Sequence, residues 1–431
     1  MSGVTPTARA QQVTDAVLAD LLGGAHRGVV VDSPPGAGKS TLVVRAAREL
    51  AATGAPAMLV AQTNEQVDDL IDRLAAADDR LRLGRLSAAD YRPADRVARH
   101  RNVRVAAKVA DLDAPAVTIG TAAKWATVAE GRWPWAIVDE AYQMRSDALL
   151  RVAPRFDRAL FVGDPGQLDP FSTVETARWT GLTWDPMQSA VAVLLRHNPD
   201  LPVHRLPVSW RLPPSAAGLV ADAFYPDAPF AAGTAPGDRK LDLPPGGGDA
   251  ADAALAAAAD TGWGLYELPA GHTPRTDAAA VRACADLAAR LLDRGATATC
   301  ERATAPVTAD RIAVGAAHRD QVAAIRAALP ARAAAVTVDT ANRLQGREYD
   351  VTIVLHPLSG RRDATAFHLE AGRLCVLASR HRQACVVVAR AGIAELLDAH
   401  PSREPVHLDT PTRFPDGWAA HQTLLAHLGA T

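Results

Sequence analysis

VVVDSPPGAGKST, residues 29–41, runs from an apolar, β-branched segment through a glycine-rich turn into a helical pattern. Such a turn between a buried strand and a helix aims backbone N–H groups at one point, and the helix dipole adds positive potential there. Gly36 and Gly38 permit close backbone approach to a phosphate, and Pro35 and Ala37 complete the turn around them. Lys39 is long enough to reach β- and γ-phosphates, and Ser40, with Thr41 beside it, brings the hydroxyl that ligates Mg²⁺ in loops of this kind. The irregularity is Ser33, which stands at the strand exit where the pattern normally opens with glycine. Serine is small, so the expectation is a modest conformational penalty with binding retained.

A phosphate loop needs a carboxylate for its metal and a polar group for the attacking water, both at the end of a neighbouring strand. WAIVDEAYQM (135–144) supplies Asp139 for Mg²⁺ and Glu140 for the water. The bland alternative, a helix that favours acids in its first turn, is weakened by the apolar run that precedes the pair. A third run, LFVGDPGQLDP (160–170), ends a strand with Asp164 and Gln167. Gln167 at that position can sense a γ-phosphate through its water, although Gly, Asp and Pro also build ordinary tight turns.

Around these runs the same grammar recurs. GVVVD, AMLVA, AVTIG, WAIVDE and ALFVGD alternate with helical patterns such as STLVVRAARELAAT, and RIAVG, AVTVDT, DVTIVL and ACVVVA repeat the alternation after residue 300. Strands separated by helices predict an α/β fold with parallel sheets covered on both faces. With 431 residues the chain is long for one core, so two domains are expected, 1–203 and 204–431.

The formal net charge is −2, so contact with nucleic acid has to come from a local basic lining. Four scattered cysteines, Cys284, Cys300, Cys375 and Cys385, form no C-x-x-C pair and fit a reduced cytoplasm. An uncharged apolar run of about 18 residues is absent, as is a signal-like N-terminus, so a cytoplasmic protein without a membrane partner is expected. Two stretches depart from the pattern. Between Arg80 and Lys108 nine Lys or Arg stand against two Asp, which reads either as a solvated arginine-rich helix or as a phosphate-contacting subdomain. Residues 231–260, rich in Gly, Pro and Ala, read as a surface loop that resists folding.

Taken in order, these blocks resemble a superfamily 1 helicase, and further blocks resemble superfamily 1B helicases of the nonsense-mediated-decay and Senataxin type. LVAQTNEQVDDL (59–70) is similar to that family's A-P-S-N-x-A-V-D-x-L, and DEAYQ (139–143) to DEAxQ. LPVSWRLPPSAAGLVADAFYPD (206–227) resembles Q-Y-R-M-H-P…F-Y, with Trp210 for tyrosine and the Met-His pair absent. IAVGAAHRDQV (312–322), DTANRLQGREYD (339–350) and VLASRHR (376–382) resemble three later blocks.

The resemblance implies two tandem RecA-like domains with ATP and Mg²⁺ between them. It implies arginine fingers at Arg211 and Arg380, which neutralise charge developing on the γ-phosphate. It places Gln345, Gly346 and Glu348 on a block joining the phosphate side to the strand side, and Gln12 (beside Gln11) against the adenine edge. Thr63, Asn64, Thr121 and Thr340 match backbone-gripping positions, with Lys124 and Trp125 as an added charge and stacking face. Polar residues at such positions are also ordinary caps, and a tryptophan there is also ordinary core.

The expected function is an ATP-dependent helicase or translocase on single-stranded DNA or RNA, moving 5′ to 3′ and acting as a monomer. The alternative is a nucleotide-gated switch that clamps nucleic acid or protein without moving.

Overall fold

Glycine and three valines make β1 (Gly28–Asp32) apolar up to its closing aspartate, and all five residues are buried. Only the centre of a sheet covered on both sides accommodates such a strand. The computed structural model describes residues 4–168, 170, 179, 188–273, 276–400 and 416–430. Two compact units emerge: Met1–Ser33, Gly38–Pro165 and Asp169–Leu206 form one, and Pro34–Ala37, Gly166–Leu168 and Pro207–Thr431 form the other.

In the first unit β1 is joined by β2 (Ala57–Ala61), β3 (Leu83–Leu86), β4 (Val103–Ala106), β5 (Val117–Thr121), β6 (Trp133–Asp139), β7 (Phe156–Gly163) and β8 (Val203–Arg205). They form one sheet in the order β4-β3-β5-β2-β6-β7-β1-β8, every described pairing parallel. β7 sits between β1 and β6, with Val31 opposite Val162 and Val162 opposite Asp139, so the chain leaves all three strands at one edge of the sheet. Ligands of open α/β sheets collect at that carboxyl edge.

Helices on the faces follow the apolar spacing. α1 (Pro6–Gly23) starts with a proline in its first turn and a Thr5 hydroxyl that accepts from Ala8 N, and it stops at Gly24 with φ +69°. α2 (Lys39–Ala52) buries Leu42, Val43, Ala46, Ala47 and Leu50, the 3.6-residue stripe expected of a covering helix. α3 (Asn64–Ala77) opens with a capping box between Thr63 and Gln66 and buries Val67, Leu70, Ile71 and Leu74.

The second unit contains a five-stranded parallel sheet, Trp263–Leu268, His381–Arg390, Tyr349–Leu355, Ile312–Ala316 and Thr337–Thr340 in spatial order. Its central strand YDVTIVL is buried at all seven positions. Beside it lies a three-stranded antiparallel sheet, Arg239–Asp242, Thr297–Cys300 and Ala303–Pro306.

Three expectations are corrected. Within 231–260, residues Ala250–Thr261 form a helix: the Asp249 side chain caps Asp252 N, and the alanines pack Ala251, Ala254, Leu255 and Ala258 into the core. Alanine has the highest helix propensity, and the cap supplies the start that a composition count does not register.

The basic stretch 80–108 is neither a solvated helix nor a separate subdomain, because it contributes β3 and β4 to the sheet. Several of its basic side chains pair with acids of α3: Arg85 with Asp68 at 2.9 Å, Arg96 with Glu65 at 2.8 Å, and Arg99 with Asp72 at 2.6 Å, where the His100 ring also meets Asp72 at 2.6 Å. Trp125 is fully buried, donates to Leu59 O at 3.0 Å and packs edge-on to Trp133, so it is core and offers no stacking face.

Among the described residues no helix is long and apolar enough to cross a membrane. All four cysteines are free thiols.

Candidate functional site

The glycine-rich loop leaves β1 with Ser33 N donating to Gly163 O at 2.8 Å. Left-handed non-glycine residues in the described chain are Asp113, Ala114, Glu140 and Glu301, so Ser33 keeps an ordinary φ and the expected penalty for lacking glycine does not arise. Gly36 (φ +73°) and Gly38 (φ +88°) carry the left-handed turns instead. Gly36 is also fixed by space, since a Cβ there would meet Arg211 Cβ at 2.3 Å. Pro35, Gly36 and Ala37 group with the second unit, where the Ser209 hydroxyl donates to Pro35 O at 2.6 Å and Trp210 N to Gly36 O at 2.9 Å.

Gly38 is the N-cap of α2 and brings no capping side chain. The amides that open α2, with Ser40 half-buried and Thr41 exposed, therefore face a potential anion without an internal side-chain acceptor. Lys39, the first residue of α2, lies 3.7 Å from Asp139 Oδ1 and in direct contact with Glu140 Oε1. Burial works against the Lys39 charge, but Glu140 and Asp139, with Asp164 adding to them, outweigh it and hold the ammonium above its usual range.

Asp139 is pushed up to about 6, chiefly by burial, with Lys39 opposing and Glu140 adding to the rise. Its Oδ1 is buried and has no hydrogen-bond donor. An acceptor oxygen left bare beside Lys39, the first residue of α2, fits a divalent cation that arrives with a phosphate, and Asp139 and Ser40 would hold it.

Glu140 occupies φ +51°, a conformation that costs a glutamate of order 1 kcal/mol or more and that concentrates at sites of function. Gln62 Nε2 donates to Asp139 O and Gln143 Nε2 to Glu140 Oε2, both at 3.4 Å, and the Tyr142 hydroxyl donates to Asp32 Oδ1 at 2.5 Å. These three supports went unread in the sequence; the repeated amides just beyond β2 and after the acidic pair were the signal.

The second unit has its own charged cluster. Arg211 Nε donates to Glu348 Oε2 at 3.1 Å and its Nη1 to Ser379 O at 3.4 Å, while Arg382 binds the other Glu348 oxygen. Burial would raise the Glu348 carboxyl, but Arg211 and Arg382 outweigh it and hold it below the usual range. Arg380 is 1% exposed, with Nε on Val376 O at 3.1 Å and Nη2 on Ser379 Oγ at 2.7 Å. Ser379 thus links the two arginines, and Arg382 is a member that sequence reading missed. Gly346 makes a turn at φ +79° with open space around its α-carbon, and the buried Gln345 Nε2 makes no hydrogen bond. Gln167 is half-buried in the segment that belongs to the second unit, its carbonyl against Gly372; Asp169 of the same run lies outside the described residues.

The remaining positions are spread out. Gln12 is exposed on α1 and its amide makes no hydrogen bond among the described residues, whereas Gln11 Nε2 donates to Asp15, which pairs with Arg45 of α2. The Thr63 hydroxyl accepts from Gln66 N and the Thr121 hydroxyl from Lys124 N, so both are caps. Thr340 starts a short helix without a side-chain cap, and Asn64 is exposed at the start of α3 with Oδ1 taking an N–H from Arg85 at 3.1 Å. Among the described residues no His, Cys, Asp and Glu gather into a metal-binding group.

Residues 8–179 match one AAA domain model and residues 194–392 match another. No curated protein matches the chain. Similar solved structures include the arterivirus nonstructural protein 10 helicase, at 15% identity and TM-score 0.44 over 88% of this chain and 61% of that one, and the same protein in complex with DNA, at 15% identity and TM-score 0.45 over 90% and 65%. A PRRSV helicase matches at 12% identity and TM-score 0.45, over 93% of this chain and 60% of that one. The chain therefore spans less than two thirds of the length of these proteins. Two AAA domains in tandem, each carrying a parallel sheet flanked by helices, account for the fold.

Proposed function

We infer that the protein is an ATP-hydrolysing superfamily 1 helicase or translocase acting on single-stranded nucleic acid. The observation that carries this reading is the cluster of Lys39, Asp139 and Glu140 at the carboxyl edge of the first sheet, with Asp139 Oδ1 lacking a donor. Lys39 and the first amides of α2 bind the β- and γ-phosphates, and Glu140 orients the attacking water and takes its proton. Ser40 and Asp139 hold Mg²⁺, which when bound supplies charge neutralisation to the phosphates.

Arg211 and Arg380 are the cations assigned to the charge that develops on the γ-phosphoryl group, with Glu348 and Ser379 holding them in place. Asn64 and Thr340 are assigned to the strand, and Thr63 and Thr121 are the caps that start the helices beside them. The likeness of 59–70, 206–227 and 339–350 to superfamily 1B blocks supports 5′ to 3′ movement.

ATP turnover measured with and without oligothymidylate and oligouridylate tests the reading. Strong stimulation by either strand, abolished by Glu140→Gln, is the expected result. A slow rate indifferent to both strands would replace the motor with a nucleotide-gated switch.

A further inference from the structure

We propose that Arg85 is a positioning residue that fixes the polarity of the Asn64 side chain, so that the start of α3 offers hydrogen-bond donors to a phosphate backbone. The inference rests on the nucleic-acid reading above. Arg85 is fully buried on β3, and its Nε donates to Asp68 Oδ1 at 2.9 Å. The Tyr91 hydroxyl donates to both Asp68 oxygens at 2.8 Å, and the guanidinium carbon lies 3.5 Å from the centre of the Tyr91 ring. With one face stacked and one edge paired, the fork has a single orientation, and its Nη2 points at Asn64 Oδ1 at 3.1 Å.

Guanidinium only donates, so it dictates which end of the carboxamide faces it. The oxygen of Asn64 is turned inward, and the exposed end of the side chain is its NH₂ group. A surface asparagine normally presents donor or acceptor by a flip of its amide; here the flip is blocked, and only an acceptor ligand is complementary. Glu65, the neighbouring acid, has its charge offset by Arg96 at 2.8 Å, so a phosphate approaching Asn64 does not meet an uncompensated carboxylate. Arg85 and Arg96 of the 80–108 stretch thus serve a strand by orientation and neutralisation.

Asn64→Asp separates this from a purely structural role. The carboxylate keeps and strengthens the Arg85 bond and sits favourably in the first turn of a helix, so melting temperature is expected to hold or rise. It has no donor to present, so affinity for a fluorescent oligothymidylate or oligouridylate is expected to fall about tenfold or more, the scale of one hydrogen bond to a charged group. Arg85→Lys, which keeps a cation for Asp68 but lacks the fork, is expected to weaken the same binding.

If wild type binds neither strand, the functional reading fails. If wild type binds and Asn64→Asp binds equally well, or loses affinity only in step with its melting temperature, the assignment of Arg85 is overturned.

Discussion

Lys39 Nζ lies 3.7 Å from Asp139 Oδ1, an oxygen that no hydrogen-bond donor reaches. The ammonium is the cation that makes two adjacent buried carboxylates tolerable in the absence of nucleotide, and it is also the group assigned to the phosphates. Binding of a nucleotide and its metal would exchange one set of charges for another without leaving either carboxylate bare.

Lys39→Met should therefore damage stability as well as nucleotide binding. Loss of one partner of a buried pair costs about 3–5 kcal/mol, and the 18% exposure of the lysine places this case at or below the lower end. Without Lys39 the Asp139 carboxyl rises further, and an acid whose folded value lies above its unfolded value gains stability as pH falls through that value. Urea unfolding should show a penalty that is large at pH 8 and shrinks by pH 5. An equal penalty at both values would contradict the pairing.

Ser33 makes a gentler test. Its hydroxyl is buried without a hydrogen-bond partner and its backbone needs no glycine. Ser33→Ala should stabilise the protein by up to about 1 kcal/mol, by removing an unpaired polar group. Ser33→Gly should lower stability by about 0.5–1 kcal/mol through backbone entropy, although it restores the usual loop sequence. Thermal melts of both variants decide it, and a Ser33→Gly variant more stable than wild type would show that the loop is strained after all.

Arg380→Ala is expected to slow ATP turnover by ~10³-fold or more while a fluorescent ATP analogue still binds, because an arginine of this type acts on developing charge. Normal turnover would remove Arg380 from the site. Ser379→Ala, which deletes the hydroxyl that takes Arg380 Nη2, should give a milder loss in turnover in the same assay.

His381 governs part of the acid sensitivity. Burial, then the charges of Arg211 and Arg380, push it down to about 3, and neither ring nitrogen has a hydrogen-bond partner. The unfolded chain takes up a proton near 6.5 that the folded chain refuses, so stability is lost as pH falls from about 6.5 towards 3, at up to about 1.4 kcal/mol per pH unit. His381→Phe keeps the edge-on packing against Trp263. Its melting temperature should exceed that of wild type by more at pH 5 than at pH 8; parallel pH profiles would refute the assignment.

The first domain was legible because its signals are local. GVVVD, AMLVA and WAIVD are the short apolar runs that the interior of a parallel sheet accommodates, and the turn at Gly36 and Gly38 demands φ values that glycine supplies. Asp139 and Glu140 were found by chemistry, as the acids a phosphate loop requires. The helix Ala250–Thr261 was missed because composition counts residues and ignores a cap, here Asp249. The basic stretch misled for a related reason: charge along a sequence does not reveal partners, and the partners of Arg85, Arg96 and Arg99 lie on α3.

By itself the sequence determined the apolar strands on either side of the phosphate loop, where that loop begins, and which acids accompany it, since backbone preference and apolar period act over a few residues. Tertiary structure alone decided that Ser33 needs no glycine conformation, that Asp139 is left with a bare oxygen, that Arg211, Glu348 and Arg382 share one charge, and that Arg85 turns the amide of Asn64. Each of these depends on what lies across space from a side chain, and burial, pairing and amide orientation are properties of neighbours distant in sequence.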